Sequence, residues 1–366
     1  MIARTWREDL KRKQGEQVYL SALRDYATGA FGAPSRGLLI AQVLSVLVVV
    51  SPFVVCALGL ILTVTTLPSW GGAFFGAVLI GAGYILCPAR YRLPKGALTR
   101  ADAPGFFAQL DEVSAALNAP AITHVVVTDD FNAFVTREGQ KTVLGIGALL
   151  WDAVPGDQKV ALVAHEIAHL VNNDPARGKR MRYALDTLAR WDDLVAPDWD
   201  GNVFADIALL PFRLLIAALE QALLRPMFLQ SQRAEYLADA LAAEVAGADA
   251  ISRLLNTLSL GEGLVQEWKG LHGLGDASGR DVIERLVACL HQMDPERRRN
   301  LLTRADAEKL SIDATHPPSA YRKGFVETVA RDAARLRPGL FDQEDAAFAG
   351  RFHAIGEQLA VHFDTQ

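Results

Sequence analysis

Two histidines and a glutamate stand close together at His165, Glu166 and His169, in the pattern His-Glu-x-x-His. Residues i and i+4 project from the same face of a helix, so both imidazoles can bind one tetrahedral metal ion. Glu166 then lies beside the open coordination position, where a carboxylate can take a proton from water. The spacing predicts a zinc site for peptide-bond hydrolysis, with Glu166 as the general base.

A catalytic zinc ion needs a third protein ligand and leaves its fourth position to water. Glu235 and Asp239 are one helical turn apart, so Glu235 can bind the metal while Asp239 accepts the outward ring N–H of a ligating histidine. The Glu-x-x-x-Asp pair alone would also fit an ordinary solvated helix, and it becomes informative only beside the histidine motif. We expect one Zn²⁺ per chain, held by His165, His169 and Glu235.

Mainly helical elements and a small sheet are expected around these residues. Apolar residues at helical spacing predict an amphipathic helix that opens at residues 103–104 and ends near residue 118. Three short β-rich runs follow at 122–128, 131–136 and 141–146, and a helical pattern covers 157–173. The predicted fold class is α+β, mainly α, with a small β-sheet.

An uncharged apolar stretch precedes this region, because residues 37–89 contain no Asp, Glu, Lys, Arg or His. A turn at residues 68–72 divides it into segments 38–67 and 73–87. A bilayer core needs roughly 20 apolar residues per helix, so the pattern predicts a transmembrane helical hairpin with the lipid bilayer as a partner. A buried hairpin of a soluble protein is the alternative, but such hairpins usually carry a polar face.

Basic residues flank the hairpin on both sides, whereas its turn has no charge. By the positive-inside rule both ends stay in the cytoplasm. We therefore expect an integral, multi-pass membrane protein whose catalytic domain faces the cytoplasm, in the inner membrane if the cell is bacterial. The first 36 residues show no cleavable signal pattern. The flanking basic residues are Arg4, Arg7, Lys11, Arg12, Lys13, Arg24, Arg36, Arg90, Arg92, Lys95 and Arg100.

A second apolar segment, residues 204–229, carries Asp206, Arg213 and Glu220 at seven-residue spacing along one helical stripe. Charged side chains inside a bilayer are expensive. We expect a helix that packs on the domain or lies at the membrane interface. A third membrane span is the alternative.

Four segments are expected along the 366-residue chain: a cytoplasmic N-terminal segment (1–36), the hairpin (37–89), a zinc metallopeptidase domain (90–325) and a C-terminal helical segment (326–366). The net charge of −5 gives no excess of basic residues for binding nucleic acid, which we exclude as a partner. Three widely separated cysteines indicate neither a disulfide framework nor a thiolate zinc site.

The chain resembles a family of membrane metallopeptidases that includes the bacterial heat-shock protease HtpX and the CAAX prenyl endopeptidases. The resemblance extends from about residue 110 to residue 322, and the two metal-binding motifs are its specific part. The similar segments are 165–174, 235–239, Asn132-Ala133-Phe134 and Thr315-His316-Pro317-Pro318 with Arg322.

This resemblance implies a zincin-type domain of the gluzincin class, in which the third zinc ligand is a glutamate. It implies that Asp239, Asn172, Asp174 and Arg322 orient the ligands and that His316 shares the charge of the tetrahedral intermediate. A helix-capping or core histidine is the alternative for His316. An extended protein or peptide substrate would add to an edge strand at residues 142–146. The expected substrate-binding residues are Asn132, Ala133, Phe134, Thr142, Leu144 and Ile146.

These features together predict a membrane-anchored zinc-dependent endopeptidase that acts in membrane protein quality control or processing. The family usually has further hydrophobic spans between the zinc motifs, where this chain has only residues 204–229. A non-catalytic membrane scaffold or adaptor that retains the fold is the alternative, but loss of Glu166 or a ligand would mark it and none is missing. A protease that trims lipidated C-termini would need a larger, many-spanning chamber.

Overall fold

The structure is a computed structural model, and it describes residues 2–29, 36–87, 96–172, 174–196, 203–268, 277–308, 316–329 and 334–364. Helices dominate this part of the chain, and three strands form one small sheet. The mainly helical α+β class is confirmed. The elements are α1 (Ile2–Thr28), α2 (Arg36–Thr66), α3 (Trp70–Leu86), α4 (Pro104–Ala116), β1 (His124–Thr128), β2 (Ala133–Glu138), β3 (Lys141–Gly147), α5 (Ala148–Ala153), α6 (Gly156–Val171), α7 (Asp174–Val195), α8 (Val203–Ala246), α9 (Ala248–Trp268), α10 (Arg280–His291), α11 (Pro295–Asp306), α12 (Ser319–Val329) and α13 (Ala346–Asp364).

The central strand of the sheet is β3, because the strand order is β1-β3-β2. It pairs in parallel with β1 and antiparallel with β2. The prediction of an edge strand at residues 142–146 is therefore wrong, since hydrogen-bonding partners occupy both sides of β3. Its burial between neighbours accounts for its continuous apolar sequence. The edge strands are β1, which forms an isolated bridge to Leu98, and β2, whose outer side pairs with no strand in the described residues.

The larger hydrophobic core is closed by aromatic residues that are far apart in the sequence. The ring of Phe106 in α4 stacks on Phe348 in α13 with centroids 4.1 Å apart. Trp151 in α5 meets Phe348 and Phe341 edge-on. Phe352 is also fully buried in this cluster. Residues beyond 326 thus complete the core, although their sequence alone predicted a separate C-terminal segment.

Helix α6 carries the His-Glu-x-x-His motif through the middle of this core. All residues from 160 to 168 are buried, so neighbouring elements pack around the whole helix. Asp157 in the first turn stabilises the N-terminus through the helix dipole. The helix ends at Asn172, whose backbone N–H donates to the carbonyl oxygen of Ala168. The predicted helix at 157–173 therefore agrees closely with the structure.

By contacts between residues the chain forms two compact units. One contains Met1–Ala33, Leu93–Pro175 and Ser231–Gln366, and the other contains Pro34–Arg92 and Ala176–Gln230. The stretch Pro34–Arg92 contains the predicted hairpin at 37–89. The remaining division differs from the predicted linear segments, because packing joins stretches that are far apart in the sequence.

Helices α2 and α3 of the second unit pack with their backbones in close contact. A Cβ atom on Gly76 would lie 2.6 Å from the carbonyl oxygen of Gly59, and one on Gly83 would lie 2.7 Å from that of Pro52. Larger residues would force the helices apart at both levels. Small residues of this kind let apolar helices associate by close packing. These contacts between α2 and α3 are those of an antiparallel helical hairpin, as predicted.

Among the described helices, two are long and apolar enough to cross a membrane, as judged by length and composition. They are Arg36–Thr66 and Asp206–Ala246, while the apolar helix Trp70–Leu86 has only 17 residues. Many of their large apolar side chains are exposed. The two candidate spans suggest a membrane protein and favour the alternative of a span within 204–229.

Two of the charged side chains in residues 204–229, which argue against a membrane span there, form an ion pair. The guanidinium of Arg213 lies 2.7 Å from the carboxylate of Asp206 on the same helix. Arg213 also donates to the backbone carbonyl oxygen of Val195. Pairing reduces the cost of placing charged side chains in an apolar environment. Sequence spacing placed both residues on one stripe, but only the structure shows that they pair.

Candidate metal centre

Two imidazoles of α6 face one another at the motif. The Nε2 atoms of His165 and His169 lie 3.3 Å apart, and the ring planes are nearly perpendicular. This arrangement follows from the i, i+4 spacing, because both side chains leave the same face of the helix. Helix α6 therefore presents two nitrogen donors to one point.

Helix α8 brings a carboxylate to the same point. Glu235 places its Oε2 atom 3.6 Å from Nε2 of His165 and its Oε1 atom 3.5 Å from Nε2 of His169. Zinc bonds of about 2.0–2.1 Å in a regular tetrahedron separate the ligand atoms by about 3.3–3.4 Å. The two nitrogens have this spacing, each lies near one of the two oxygens of Glu235, and one donor atom from each residue lies within 4.8 Å of the others. The residues fit a zinc ion, with one coordination position left for water.

Asp239 contacts the ring nitrogen of His165 that does not face the other donors. Its Oδ1 atom lies 3.0 Å from Nδ1 of His165, on the side of the ring opposite the other donors. A carboxylate in this position fixes the ring orientation and leaves Nε2 unprotonated for a metal. The structure therefore brings Asp239 to the position that the spacing of Glu235 and Asp239 predicted.

Arg322 of α12 joins the two carboxylates. Its Nε and Nη2 atoms donate hydrogen bonds of 2.7 Å to the two oxygens of Asp239. Its Nη1 atom lies 3.2 Å from Oε2 of Glu235. Arg322 is buried, and two parallel hydrogen bonds of this kind fix both partners in one geometry. It connects the third ligand to the residue that orients His165.

The charges around the ligands are balanced inside the protein. Burial by itself lowers the pKa of His165, but Asp239 and Glu235 outweigh it and raise that pKa to about 9. Burial opposes the ionisation of Glu235, yet Arg322 and His316 hold its pKa well below the usual range. Without metal, His165 thus holds a proton that an incoming ion must displace, while Glu235 is already ionised for binding.

His316 reaches the site from the segment before α12. Its Nδ1 atom lies 3.0 Å from Oε2 of Glu235, and its side chain is 61% exposed. This exposure does not fit the alternative of a core histidine. His316 contacts the third ligand directly and keeps part of its ring open to the solvent.

A cavity of about 340 Å³ opens beside the ligands. Glu166 lines it, although the residue as a whole is buried, and His316 and Arg322 line it as well. The edge strand β2 and the turn before it contribute Asn132, Ala133, Phe134 and Val135. The carboxylate next to the first histidine and the open strand edge therefore meet in one space.

Four of the expected site residues that the structure describes do not line this cavity. Thr142, Leu144 and Ile146 are buried in the central strand. Asn172 is buried at the end of α6, and its side chain has no hydrogen-bond partner within the described residues. Asp174 begins α7, but its side chain lies outside the part that the structure describes.

Sequence reasoning missed an aliphatic wall of the cavity on helix α9. Its apolar side chains follow a helical period, which was visible in the sequence but is typical of any core-facing helix. Only the fold places them opposite β2. They are Ile251, Leu254, Leu255 and Leu258.

Comparison with known proteins gives one match. Residues 105–329 match the model of the family described as Peptidase family M48. No curated protein and no solved structure matches the chain. The matched region covers more than half of the chain and includes all three candidate ligands, Asp239 and Arg322. The chain therefore belongs to peptidase family M48, whose members are typically zinc-dependent metallopeptidases.

Proposed function

We propose that this chain is a membrane-anchored zinc endopeptidase with Glu166 as its general base. One observation carries the proposal. Donor atoms of His165, His169 and Glu235 lie within 4.8 Å of one another, close enough to hold one metal ion, and share a cavity with Glu166. A site with three protein ligands and an open position is typical of catalytic zinc rather than of structural zinc.

When bound, zinc supplies Lewis acidity and lowers the pKa of a coordinated water to about 7. The carboxylate of Glu166 accepts a proton from the water as the water oxygen attacks the peptide carbonyl carbon. Glu166 then gives this proton to the amide nitrogen, and the carbon–nitrogen bond breaks to release an amine and a carboxylic acid. The position of Glu166 in the cavity supports both transfers.

His316 and Arg322 have different parts in this proposal. His316 lines the cavity and is half open to solvent, so its ring can donate to the oxygen that becomes negative during the attack. Arg322 acts as a positioning residue, because its hydrogen bonds go to Asp239 and its third contact goes to Glu235.

The free edge of β2 supports an endopeptidase activity. An extended peptide can add its backbone to an open sheet edge, and this binding needs no free chain terminus. Asn132, Ala133 and Phe134 line the cavity at this edge. Gly145 of β3 makes room for the Phe134 ring, since a Cβ atom there would lie 2.2 Å from it. We assign substrate binding to β2 in place of β3.

The membrane placement suggests which proteins are cleaved. Candidate spans in α2 and α8, with the apolar helix α3, support an anchor in the bilayer. The basic flanks of the hairpin support a catalytic unit on the cytoplasmic side. Substrates would then be unfolded or regulated segments of proteins at that membrane face, as in quality control or processing.

Cleavage of unfolded proteins by the detergent-purified chain tests this function. We expect internal cuts that a chelator abolishes and added zinc restores. Glu166→Gln should keep the zinc and lose nearly all turnover, because an amide cannot accept the proton. Mass spectrometry of the products and metal analysis of both proteins provide the measurements.

Two results would contradict the proposal. Near wild-type cleavage by Glu166→Gln would remove Glu166 from its role as base. A zinc-loaded wild-type chain that cleaves no protein or peptide would favour the non-catalytic scaffold.

A further inference from the structure

The cavity beside the metal ligands is lined by both charged and aliphatic side chains. Its charged side chains belong to the metal site itself. Helix α9 contributes only aliphatic side chains and α6 adds one, so an unpaired charge placed against them would lose its hydration without gaining a partner. These side chains are Leu162, Ile251, Leu254, Leu255 and Leu258.

A second cavity of about 850 Å³ continues from the first. Helix α11 and the segment before α12 form its far side, with Leu301, Pro317 and Pro318 among the lining residues. The lining of this second cavity also includes two charged side chains, Arg304 and Glu308. The residues common to both cavities are Asn132, Leu255, Leu258, His316 and Arg322.

Leu258 stands out among these shared residues. Leu255 is only 2% exposed and belongs to the core. Leu258 is half-buried, packs against the core and lines both cavities. Its side chain therefore limits how far a group that enters beside the metal can extend toward the larger cavity.

We infer that the smaller cavity receives one apolar side chain flanking the scissile bond, and that Leu258 sets the largest side chain it accepts. The inference rests on the proposed peptidase function and names the specificity of the same site. A hydrophobic pocket discriminates by about 10- to 200-fold per methylene group. The size of residue 258 should therefore change the ranking of substrates rather than the chemistry.

Peptides that differ only at the residues flanking the cut test this inference. They carry Ala, Leu, Trp or Asp at one flanking position at a time, and kcat/KM is measured for each. For the wild-type chain we expect Leu to exceed Asp by at least about 10-fold on one side of the cut. An equal rate for Leu and Asp on both sides would overturn the inference, even though cleavage itself would still support the peptidase function.

Two variants with opposite effects test Leu258 itself. Leu258→Ala widens the junction between the cavities and should raise the Trp-to-Leu ratio of kcat/KM by about 10-fold or more. Leu258→Phe fills the junction and should lower that ratio. Leu302→Ala is the matched control, since Leu302 is also partly buried against the core but lines neither cavity. Unchanged ratios in both Leu258 variants, or the same shift in the control, would overturn the assignment.

Binding provides a readout that does not depend on turnover. In the zinc-loaded Glu166→Gln protein, fluorescent peptides with Leu should bind more tightly than those with Asp, and Leu258→Ala in that background should favour Trp. The zinc content should stay at one per chain in every Leu258 variant. Zinc loss on changing Leu258, or binding that ignores the flanking side chain, would overturn the inference whether or not the chain cleaves peptides.

Discussion

At the residue scale, the metal centre is a buried network in which each charge has an opposite neighbour. Two carboxylates, Glu235 and Asp239, share the guanidinium of Arg322, and His165 lies between them. Removing one member of such a network leaves another charge buried without compensation, which costs more than the pair itself contributes. Substitutions of these residues should therefore differ in their effects on zinc content and on the free energy of unfolding.

Zinc content distinguishes the ligand from the residue that orients it. Glu235→Gln should remove most of the zinc, because an amide oxygen is a poor substitute for a carboxylate ligand. Asp239→Asn should retain zinc with a loss of roughly 10- to 100-fold in affinity or activity. Metal analysis and chelator competition measure both. Zinc retained in Glu235→Gln but lost in Asp239→Asn would exchange the two roles.

Arg322→Met should destabilise the zinc-free protein by about 3–5 kcal/mol, because two buried carboxylates would lose their common cation. The control is Arg335→Met, which breaks a half-exposed ion pair with Glu244. That change should cost about 0–1 kcal/mol. Denaturant titration in mild detergent gives both free energies of unfolding. Equal losses in the two variants would show that the Arg322 network contributes no more than a surface pair.

At the scale of elements, helix α1 supports the segment of α8 that carries Glu235. Tyr19 of α1 meets the ring of Tyr236 edge-on at 5.3 Å and that of Phe325 in α12 at 5.6 Å. Arg233 of α8 pairs with Asp25 of α1. These contacts place α1 against the residues that flank the third ligand in the sequence.

Tyr19→Ala should lower the free energy of unfolding by about 1–3 kcal/mol, the sum expected for two aromatic pairs. It should also speed zinc release, because Tyr236 is the sequence neighbour of Glu235. Leu20→Ala on the same helix is the control, since Leu20 is 59% exposed. Denaturation and zinc-release kinetics test both effects. Identical behaviour of the two variants would show that α1 does not support the metal site.

At the scale of the whole molecule, the metal site constrains the path of the chain through the membrane. His165 and Glu235 bind the same ion, so both must lie on one side of the bilayer. If residues 203–230 of α8 cross the bilayer, the chain between His165 and residue 203 must cross it in the opposite direction. By the positive-inside rule we expect the metal site in the cytoplasm and the turn of the hairpin outside it.

Single-cysteine labelling tests this topology in a background without Cys56, Cys87 and Cys289. A cysteine at Ser69 should react with an impermeant reagent added to intact cells or spheroplasts. One at Ser231 should react only after lysis. The reverse pattern would invert the protein and move its substrates to the outer side.

The sequence by itself determined which residues are the candidate ligands and the proposed base, because these residues are related by local helical periodicity. Two histidines four residues apart share a helix face in any fold, and the same holds for Glu235 and Asp239. The apolar hairpin was equally readable, since a bilayer imposes length and composition on a single segment. To predict that the histidine motif and the Glu235–Asp239 pair bind the same metal, we also had to assume that the zinc ion takes its third ligand from Glu235.

Only the tertiary structure decided which strand offers an open edge, what covers the back of α8 and which side chains face the ligands. Strand order depends on pairing between segments, and an apolar run such as β3 reads the same whether it lies at an edge or in the centre. The leucines of α9 and the ring of Tyr19 show ordinary core periodicity in the sequence. Their positions beside and behind the metal site arise from contacts between residues far apart in the chain, which no local pattern encodes.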